Sequence, residues 1–494
     1  MDGSGEAARA YHEATKHSWE SVRRRARFLD WDNKPHPFKV YDAPVERVPL
    51  PEAPRLGVPA ARALGAWVEE GPAPDLVALS RLLRLGAGLH HTVTFPGGDE
   101  IHFRTYASAG ALYPVEAYVA CGDLEGLPAG LYHFDPAGPA LVRLRDADPR
   151  GHLVRAAAAD EAVARAPAVL ALTGIPWRTA WKYAERGYRH LFWDAGTILA
   201  NVLALAASAA LPARVVVGFD DRDVAGLLGV DGRREVPLCL VPIGAGPRVA
   251  PDEAPPEPLD LPVRRLSRSE HVFAAIRAVH DAGDLRAADV ARWRERLPEE
   301  PVGPRTADDP PDPLEDVVMR RGSARRFTPG AIPGEALRRI LRLATAGIPT
   351  DLCPRGSMLV RPYVVANDVI GAEPGVYAFD QGELRLLREG ELRAHAGFLC
   401  LEQRLGADAA ATHFLMTDLG AVLGALGDRG YRLAQLEGGI VTGRLYLAAY
   451  AHRLGATGLT FYDDAVAGFL GGEAERLSCL LAVAIGRSPR LERR

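Results

Sequence analysis

Hydrophobic and polar positions along the chain predict the same series of elements twice. Each series begins with an amphipathic helix, continues with short apolar strands and a long helix that is apolar on most faces, and closes with a strand ending in glycine. The predicted amphipathic helices span 76–85 and 334–343, the long helices 188–210 and 431–453, and the closing strands 238–244 and 479–486. Short strands mixed with long helices are typical of an α+β fold.

The two series also repeat in sequence. RGYR at 186–189 recurs at 429–432, and FDD at 219–221 recurs as YDD at 462–464, both at a separation of 243 residues. A repeat of this period indicates two copies of one domain in tandem. Because the long helix of each copy is apolar on most faces, we expect the two helices to pack against each other and form an intramolecular pseudo-dimer.

Proline-rich stretches mark the connection between the copies. Residues 247–262 and 298–313 each contain six prolines, and they flank a charged, alanine-rich helical pattern over 267–297. Such a semi-rigid spacer around a helix suits a connection between two domains. We therefore predict an N-terminal extension over 1–50, a first domain over 51–246, a linker with a helix over 247–313 and a second domain over 314–494.

Composition mainly excludes functions. The hydrophobic content of 48% and charged content of 25% are typical of a soluble globular protein, and the net charge of −4 would attract neither nucleic acid nor an anionic membrane. The five cysteines are far apart and no histidine stands at ligand spacing, so we expect no metal site and reduced thiols in the cytoplasm. We expect no secretion signal, and the uncharged stretch 195–213 predicts a buried helix rather than a membrane span.

Two motifs occur in only one copy each. RTYASAGALYP at 104–114 contains a turn of small residues, in which Gly110 lets the backbone approach another group closely. MRRGSARRF at 319–327 surrounds Ser323 with four arginines, a set of donors that suits a phosphate. The aligned segments of the other copy, 353–358 and 62–67, lack the turn and the arginine cluster respectively. The copies therefore hold complementary halves of one binding site.

Lys182 and Tyr183 are a candidate proton-transfer pair, present only in the first copy because the second has Ala425 and Leu426 at these positions. A nearby ammonium lowers the pKa of a phenol, and partial burial lowers the pKa of a lysine.

Other polar residues predict structural roles. The Asp-Asp pairs at 220–221 and 463–464 stand before a predicted helix and are interpreted as helix caps rather than catalytic acids. His90, His91 and His102 lack a carboxylate or cysteine at ligand spacing and predict ordinary polar roles.

Several of these motifs together resemble one family. YHEATKHS at 11–18, PFKVY at 37–41, the RTYASAGALYP turn, WKYAERGYR at 181–189, GFDD at 218–221 and RRGSARRF at 320–327 are similar to SagB/ThcOx-type dehydrogenases, a branch of the nitroreductase-like flavoproteins. The resemblance covers nearly the whole chain. It implies an α+β fold in which FMN lies between two domains and is bound by both.

The resemblance also implies residue roles. In the second copy, the flavin phosphate and pyrimidine would be held by Arg320, Arg321, Ser323 and Arg325. The first copy would contribute the turn of Ser108, Ala109 and Gly110. Backbone of the second copy at Gly458, Leu459 and Thr460 would lie against the isoalloxazine, and the basic residue after the closing strand would be Arg487. Lys182 and Tyr183 match a Lys-Tyr pair that acts at the flavin in azoline-oxidising members.

The function implied is oxidation of thiazoline or oxazoline rings to azoles in a ribosomally made peptide, alongside a cyclodehydratase of the same pathway. Two alternatives stay open, an NAD(P)H-dependent nitro or quinone reductase and a non-catalytic peptide-binding scaffold. Because each half-site motif occurs once, we expect one FMN per chain and an inactive reciprocal site. Whether pseudo-dimers pair further is left open.

Overall fold

The computed structural model describes residues 5–24, 28–98, 100–296 and 301–492. Up to residue 296 the helices are α1 Glu6–Ala14, α2 Trp19–Arg24, α3 Ala60–Ala63, α4 Leu76–Ala87, α5 Arg150–Ala156, α6 Glu161–Arg165, α7 Pro176–Tyr183, α8 Gly187–Ser208, α9 Asp221–Leu228, α10 Ala274–Ala282 and α11 Ala287–Arg294. The strands of this part are β1 Arg47–Pro49, β2 Leu89–Thr94, β3 Glu100–Arg104, β4 Val115–Cys121, β5 Gly130–Asp135, β6 Ala140–Arg145, β7 Ala168–Gly174 and β8 Val236–Ile243.

The second copy follows the same plan. Its helices are α12 Leu314–Arg320, α13 Gly334–Ala344, α14 Arg393–Leu399, α15 Arg404–Asp408, α16 Leu419–Ala451, α17 Asp463–Leu470 and α18 Pro489–Glu492. Its strands are β9 Ile332–Pro333, β10 Arg361–Ala366, β11 Val369–Ile370, β12 Gly375–Asp380, β13 Glu383–Glu389, β14 Ala411–Thr417, β15 Gly455–Leu459 and β16 Ser478–Gly486.

Each copy is built on a six-stranded antiparallel sheet. The strand orders are β1-β6-β5-β4-β7-β8 and β13-β12-β10-β14-β16-β15. The central strand β4 is apolar on both faces: Val119 and Cys121 contribute to the core that contains α8, whereas Tyr118 and Ala120 contribute to the core formed with α5, α6 and α9. Helices therefore cover both faces of the sheet, which confirms the predicted α+β fold.

The two long helices, α8 and α16, cross at glycines. A Cβ atom on Gly196 would lie 2.5 Å from the Cα atom of Gly439, so the two backbones touch at this point. The segment Pro176–Ser208 is long and apolar enough to cross a membrane by composition, yet 89% of its most apolar window is buried inside the protein. The copies thus form the predicted pseudo-dimer around this pair of helices.

Ion pairs between the copies surround the helix pair. Asp463 accepts hydrogen bonds from Arg186 and Arg189 across the interface, with N···O distances of 2.9 Å to each. In the opposite direction Asp221 pairs with Arg429 and Arg432, both at 2.6 Å. These side chains are almost fully buried, so the two clusters fix how the copies sit relative to each other.

The prediction of four helix-capping aspartates is wrong for three of them. Only Asp220 caps a helix, α9, by accepting from the backbone N–H groups of residues 222 and 223. Because α9 starts at Asp221 and α17 at Asp463, the repeat here has a separation of 242 residues, one less than the sequence alignment assumes. The equivalent residues Asp221 and Asp463 therefore make the buried ion pairs, and Asp464 is an exposed partner of Lys16.

Asp221, His280 and Asp284 also lie close enough together to suggest a metal site. Arg429 and Arg432 already occupy oxygens of these carboxylates, and their charge opposes a cation.

The N-terminal helix α1 and the linker helix α10 occupy equivalent places. RAYHEA at 9–14 resembles RAVHDA at 277–282. Arg189 donates to the carbonyl of His12 at 2.8 Å and Arg432 to that of His280 at 2.5 Å. The imidazoles of His12 and His280 each lie 3.2 Å from a tyrosine hydroxyl of the copy on the other side of the interface. The repeat therefore includes a helix that precedes each domain, a feature the sequence comparison missed.

Candidate functional site

The turn of the first copy is held by helix α8. The Ser108 hydroxyl donates to Asp194 Oδ2 at 2.5 Å, and the backbone N–H of Ala109 donates to Oδ1 of the same carboxylate at 3.3 Å. Gly110 follows with a φ of +66°, a conformation that favours glycine. A buried carboxylate thus fixes the turn that the sequence identified only by its small residues.

The turn lies directly against the Lys182–Tyr183 pair at the end of α7. A Cβ atom on Gly110 would lie 2.8 Å from the Tyr183 hydroxyl oxygen and 3.2 Å from Lys182 Nζ. The Tyr183 ring stacks on the imidazole of His190, with centroids 4.3 Å apart and planes 8° from parallel. The structure therefore brings together two motifs that are about seventy residues apart in the sequence.

Burial shifts the pKa values of Lys182 and Tyr183 in opposite directions. Partial burial lowers the pKa of Lys182, and the positive charges of Lys34 and Arg325 lower it further. Burial raises the pKa of Tyr183 well above 10, and the Asp194 carboxylate adds to this shift. The expected lowering of the phenol pKa is therefore wrong in direction, because burial raises it. The lowered pKa of Lys182 favours its neutral amine, and the raised pKa of Tyr183 favours the protonated phenol.

The arginine cluster of the second copy reaches the same place from the other side. Arg321 is buried and donates from Nη2 to the carbonyl of Arg104, the first residue of the RTYASAGALYP motif, at 2.9 Å. Its Nε atom is buried with no hydrogen-bond partner among the described residues. Burial lowers the pKa of Arg321, and the charge of Arg490 contributes to this shift. The two half-site motifs are therefore in contact.

Tyr446 on α16 connects two further parts of the site. Its hydroxyl lies 3.2 Å from the Ser323 hydroxyl and accepts a hydrogen bond from the backbone N–H of Gly458 at 2.5 Å. Gly458 is exposed, although both its neighbours in strand β15 are buried. Leu459 is buried, and Thr460 accepts a hydrogen bond from Gln403 at 3.2 Å. The Gly458 backbone is thus exposed close to Ser323, to which Tyr446 links it.

Of the remaining predicted residues, Arg325 and Arg487 lie at the arginine loop, whereas Arg320 makes contacts within the protein. Arg325 is exposed and makes no ion pair within the described part of the chain, and the Arg487 guanidinium lies beside Gly330 at the end of the arginine loop. Arg320 instead pairs with Asp312 and donates to the carbonyl of Tyr450 at 3.0 Å, which gives it a supporting role.

Sequence reasoning missed Asp194, His190, Tyr446 and Arg490. A possible signal was that the other copy has leucine at the corresponding positions, Leu433 for His190 and Leu203 for Tyr446.

The reciprocal half-site is filled by the linker. The backbone N–H of Val302 donates to Gly356 at 3.0 Å in the altered turn, and that of Arg305 donates to Gly65 at 2.9 Å in the altered arginine segment. Trp293 donates to the carbonyl of Leu426, the counterpart of Tyr183, at 2.9 Å. The linker therefore hydrogen-bonds to both segments that a second site would have to combine, and the Trp67 ring of one segment lies beside Gly356 of the other.

In the first copy, the backbone equivalent to the end of β15 is hydrogen-bonded to a protein side chain. Asp351 accepts hydrogen bonds from the N–H groups of Val217 and Gly218, both at 2.9 Å, and these residues stand 242 positions before Leu459 and Thr460. A Cβ atom on Gly218 would lie 3.1 Å from the Trp293 ring. Protein groups thus take the place that is open in the other half.

The open half fits a flavin mononucleotide by its donor chemistry. Guanidinium and hydroxyl groups are donors that suit a phosphate, and Arg321 Nε, Arg325 and Ser323 provide them. The exposed Gly458 backbone can approach a flat ring without a side chain in between.

Comparison with known proteins identifies the family of both copies. The nitroreductase family matches residues 72–245 and 318–487, once in each copy. The putative nitroreductase MJ1384 of Methanocaldococcus jannaschii is 35% identical over 146 residues, which are 30% of this chain and 72% of that protein. The microcin B17-processing protein McbC of Escherichia coli is 29% identical over 142 residues, 28% of this chain and 52% of that protein, so the match spans about half of McbC.

The crystal structure of a putative nitroreductase from Anabaena variabilis is similar over both copies. Its TM-score is 0.78 at 25% identity, and the alignment covers 98% of this chain and 99% of that one. The family matches cover well over half of the chain and include both domains. The chain therefore belongs to the nitroreductase family, a family of oxidoreductases, and contains two of its domains in tandem.

Proposed function

We propose that this chain is an FMN-dependent oxidoreductase that oxidises thiazoline or oxazoline rings of a ribosomally made peptide to azoles. The observation that carries the proposal is the meeting of Gly110, Lys182 and Tyr183 from the first copy with the arginine cluster of the second. A proton acceptor beside the cofactor position suits an oxidation that removes a proton from carbon. The similarity to McbC, named for processing microcin B17, supports a peptide substrate.

In this proposal one FMN is bound per chain. Arg321, Ser323 and Arg325 hold its phosphate and pyrimidine, with Arg487 nearby, and Ser108–Gly110 together with Gly458–Thr460 lie against the ring system. The filled reciprocal half supports a stoichiometry of one. Bound FMN supplies the acceptor for the hydride equivalent that leaves the substrate ring.

The side chains around the turn handle the proton. Conversion of an azoline to an azole removes one proton and one hydride, and the lowered pKa of Lys182 makes its neutral amine available to take the proton alpha to the ring nitrogen. Tyr183 keeps its proton across the working pH range because burial raises its pKa, so it acts as a hydrogen-bond donor to the substrate. Gly110 lets the backbone of the turn lie directly against both side chains because it has no side chain of its own.

The chemistry of the substrate places this step after a cyclisation. An azoline arises when a cysteine, serine or threonine side chain closes on the preceding carbonyl with loss of water, so a cyclodehydratase would supply the substrate. Both reactions belong in the cytoplasm, where peptides are made.

The alternative of a nitro or quinone reductase is favoured by one finding, that MJ1384 and the Anabaena variabilis protein carry nitroreductase names. The Lys182–Tyr183 pair speaks against it, because simple reduction by NAD(P)H needs no dedicated base. The non-catalytic scaffold is set aside, because the family is one of enzymes.

The test measures bound flavin and turnover of an azoline-containing peptide. We expect one FMN per chain. Arg325→Ala should lose most of the bound flavin. The control Arg404→Ala, at a side chain that is 91% exposed, should retain it. Lys182→Ala, which introduces the residue of the second copy, keeps the flavin and loses turnover by a factor of about 100 or more. Two flavins per chain would contradict the composite site, and rapid NAD(P)H-dependent nitro reduction without azoline oxidation would establish the reductase.

A further inference from the structure

The imidazole of His190 lies beneath the proposed catalytic tyrosine without a hydrogen bond of its own. It is 2% exposed, and among the described residues neither ring nitrogen has a partner. Its flat face is stacked on Tyr183 at 4.3 Å, and Trp193 lies on it at 4.6 Å with a tilt of 59°. A buried polar group left unpaired destabilises the folded state, so core packing alone does not explain a histidine here.

Comparison of the two copies supports a specific role for this side chain. Lys182, Tyr183 and His190 correspond to Ala425, Leu426 and Leu433, so the histidine is present where the pair is present and is replaced by leucine where the pair is missing. Leucine is compatible with the fold at this position, because Leu433 is buried in the equivalent helix.

We propose that His190 is a positioning residue that fixes the ring of Tyr183 by stacking. The inference rests on the proposed role of Tyr183 in catalysis. Helix α8 carries His190 one turn before Asp194, so neighbouring side chains of one helix hold the tyrosine ring and the Ser108–Gly110 turn. The Tyr183 hydroxyl is thereby set against Gly110.

The charges around His190 keep the stack constant with pH. Burial lowers the pKa of the imidazole well below its usual value, and the charges of Arg186 and Arg189, together with the protonated forms of His17 and Lys182, lower it further. The ring is therefore neutral at working pH. Offset stacking of two neutral rings stabilises such a pair.

Two substitutions test the role. His190→Leu introduces the residue of the second copy and removes the flat ring, whereas His190→Phe retains a flat ring and removes the nitrogens. The protein is labelled with fluorotyrosine, and the fluorine NMR resonance of Tyr183 is assigned by its loss in Tyr183→Phe. This readout and the flavin content need no azoline substrate, so they decide the stacking even where the proposed reaction fails.

We expect His190→Leu to shift the Tyr183 resonance and to lower kcat by about tenfold with little change in KM and no loss of flavin, because the tyrosine is misplaced rather than removed. His190→Phe should restore the resonance and bring kcat to within about threefold of the parent. An unshifted resonance with unchanged kcat in His190→Leu would overturn the proposal. So would a His190→Phe variant that is as impaired as His190→Leu, because the flat ring would then not be the feature that matters.

Discussion

Substitution of Asp463 by asparagine tests how the two copies are held together. Asp463 is 3% exposed and accepts from Arg186, Arg189 and the backbone N–H of His17, the last at 2.8 Å. Burial alone would raise the pKa of this carboxyl, but the two guanidinium groups hold it well below its usual range. Asparagine keeps the shape and removes the charge, which leaves two arginines buried without a counter-ion.

The expected loss in the free energy of unfolding is large for a substitution that changes one atom. Removing one partner of a buried ion pair typically costs 3–5 kcal/mol, and we expect about 3 kcal/mol here because the amide oxygen of asparagine still accepts one hydrogen bond. The difference between variant and parent depends on pH. A carboxyl with a lowered pKa stabilises the folded state above its unfolded pKa of about 4, and this contribution disappears as the pH falls below that value.

Urea denaturation at neutral pH measures the loss, and the neighbouring residue supplies the control. Asp464 has a side chain that is 78% exposed and pairs with Lys16 at the surface, so Asp464→Asn should change the free energy of unfolding by no more than about 0.5 kcal/mol. Equal effects of the two substitutions, or a loss below about 1 kcal/mol for Asp463→Asn, would refute the assignment of this carboxylate as the link between the copies.

Three further predictions concern the site itself. Gly110→Ala and Gly57→Ala both place alanine at a positive φ, +66° and +70°, so each should lower the free energy of unfolding by about 1 kcal/mol. Only Gly110→Ala should also reduce turnover. Its Cβ atom meets Tyr183, whereas a Cβ atom on Gly57 meets nothing within 4 Å. Burial raises the pKa of Asp194 to about 7 despite its bonds to Ser108 and Ala109, so the folded state holds a proton that the unfolded state loses near pH 4. Between about pH 4 and 7 the parent should therefore lose up to about 1.4 kcal/mol of stability per pH unit relative to Asp194→Asn, and parallel pH profiles in urea denaturation would contradict this. Tyr446→Phe removes the hydroxyl that joins Ser323 to Gly458 and should weaken FMN binding by about tenfold in fluorescence titration, with unchanged affinity as the contrary result.

Much of the site was predictable because it depends on local motifs. The turn needs Gly110 for its positive φ, and the arginine cluster needs Arg321, Ser323 and Arg325 within a few residues, so both leave a pattern in the sequence. Comparison of the copies then showed that these motifs are complementary. The residues that were missed, Asp194 and Tyr446 among them, act on partners 86 and 123 residues away, and no local pattern records such contacts.

The predictions that failed did so for related reasons. A shift of one residue between α9 and α17 cannot be read from an Asp-Asp pair in each copy, so Asp221 and Asp463 were interpreted as caps. The direction of the pKa shift of Tyr183 depends on burial, which the dipeptide Lys-Tyr does not specify.

By itself, the sequence determined that this chain contains two α+β domains, that they differ, and that each carries the half-site motif which the other lacks. Those conclusions follow from periodicity and from residue types within short segments, where neighbours in sequence are neighbours in space. Only the tertiary structure decided that Arg321 meets Arg104, that Gly110 lies against Lys182 and Tyr183, and that the linker fills the reciprocal half. The physical reason is that burial, and with it the pKa of each group and the open or occupied state of each half-site, is set by residues that the fold brings together from distant parts of the chain.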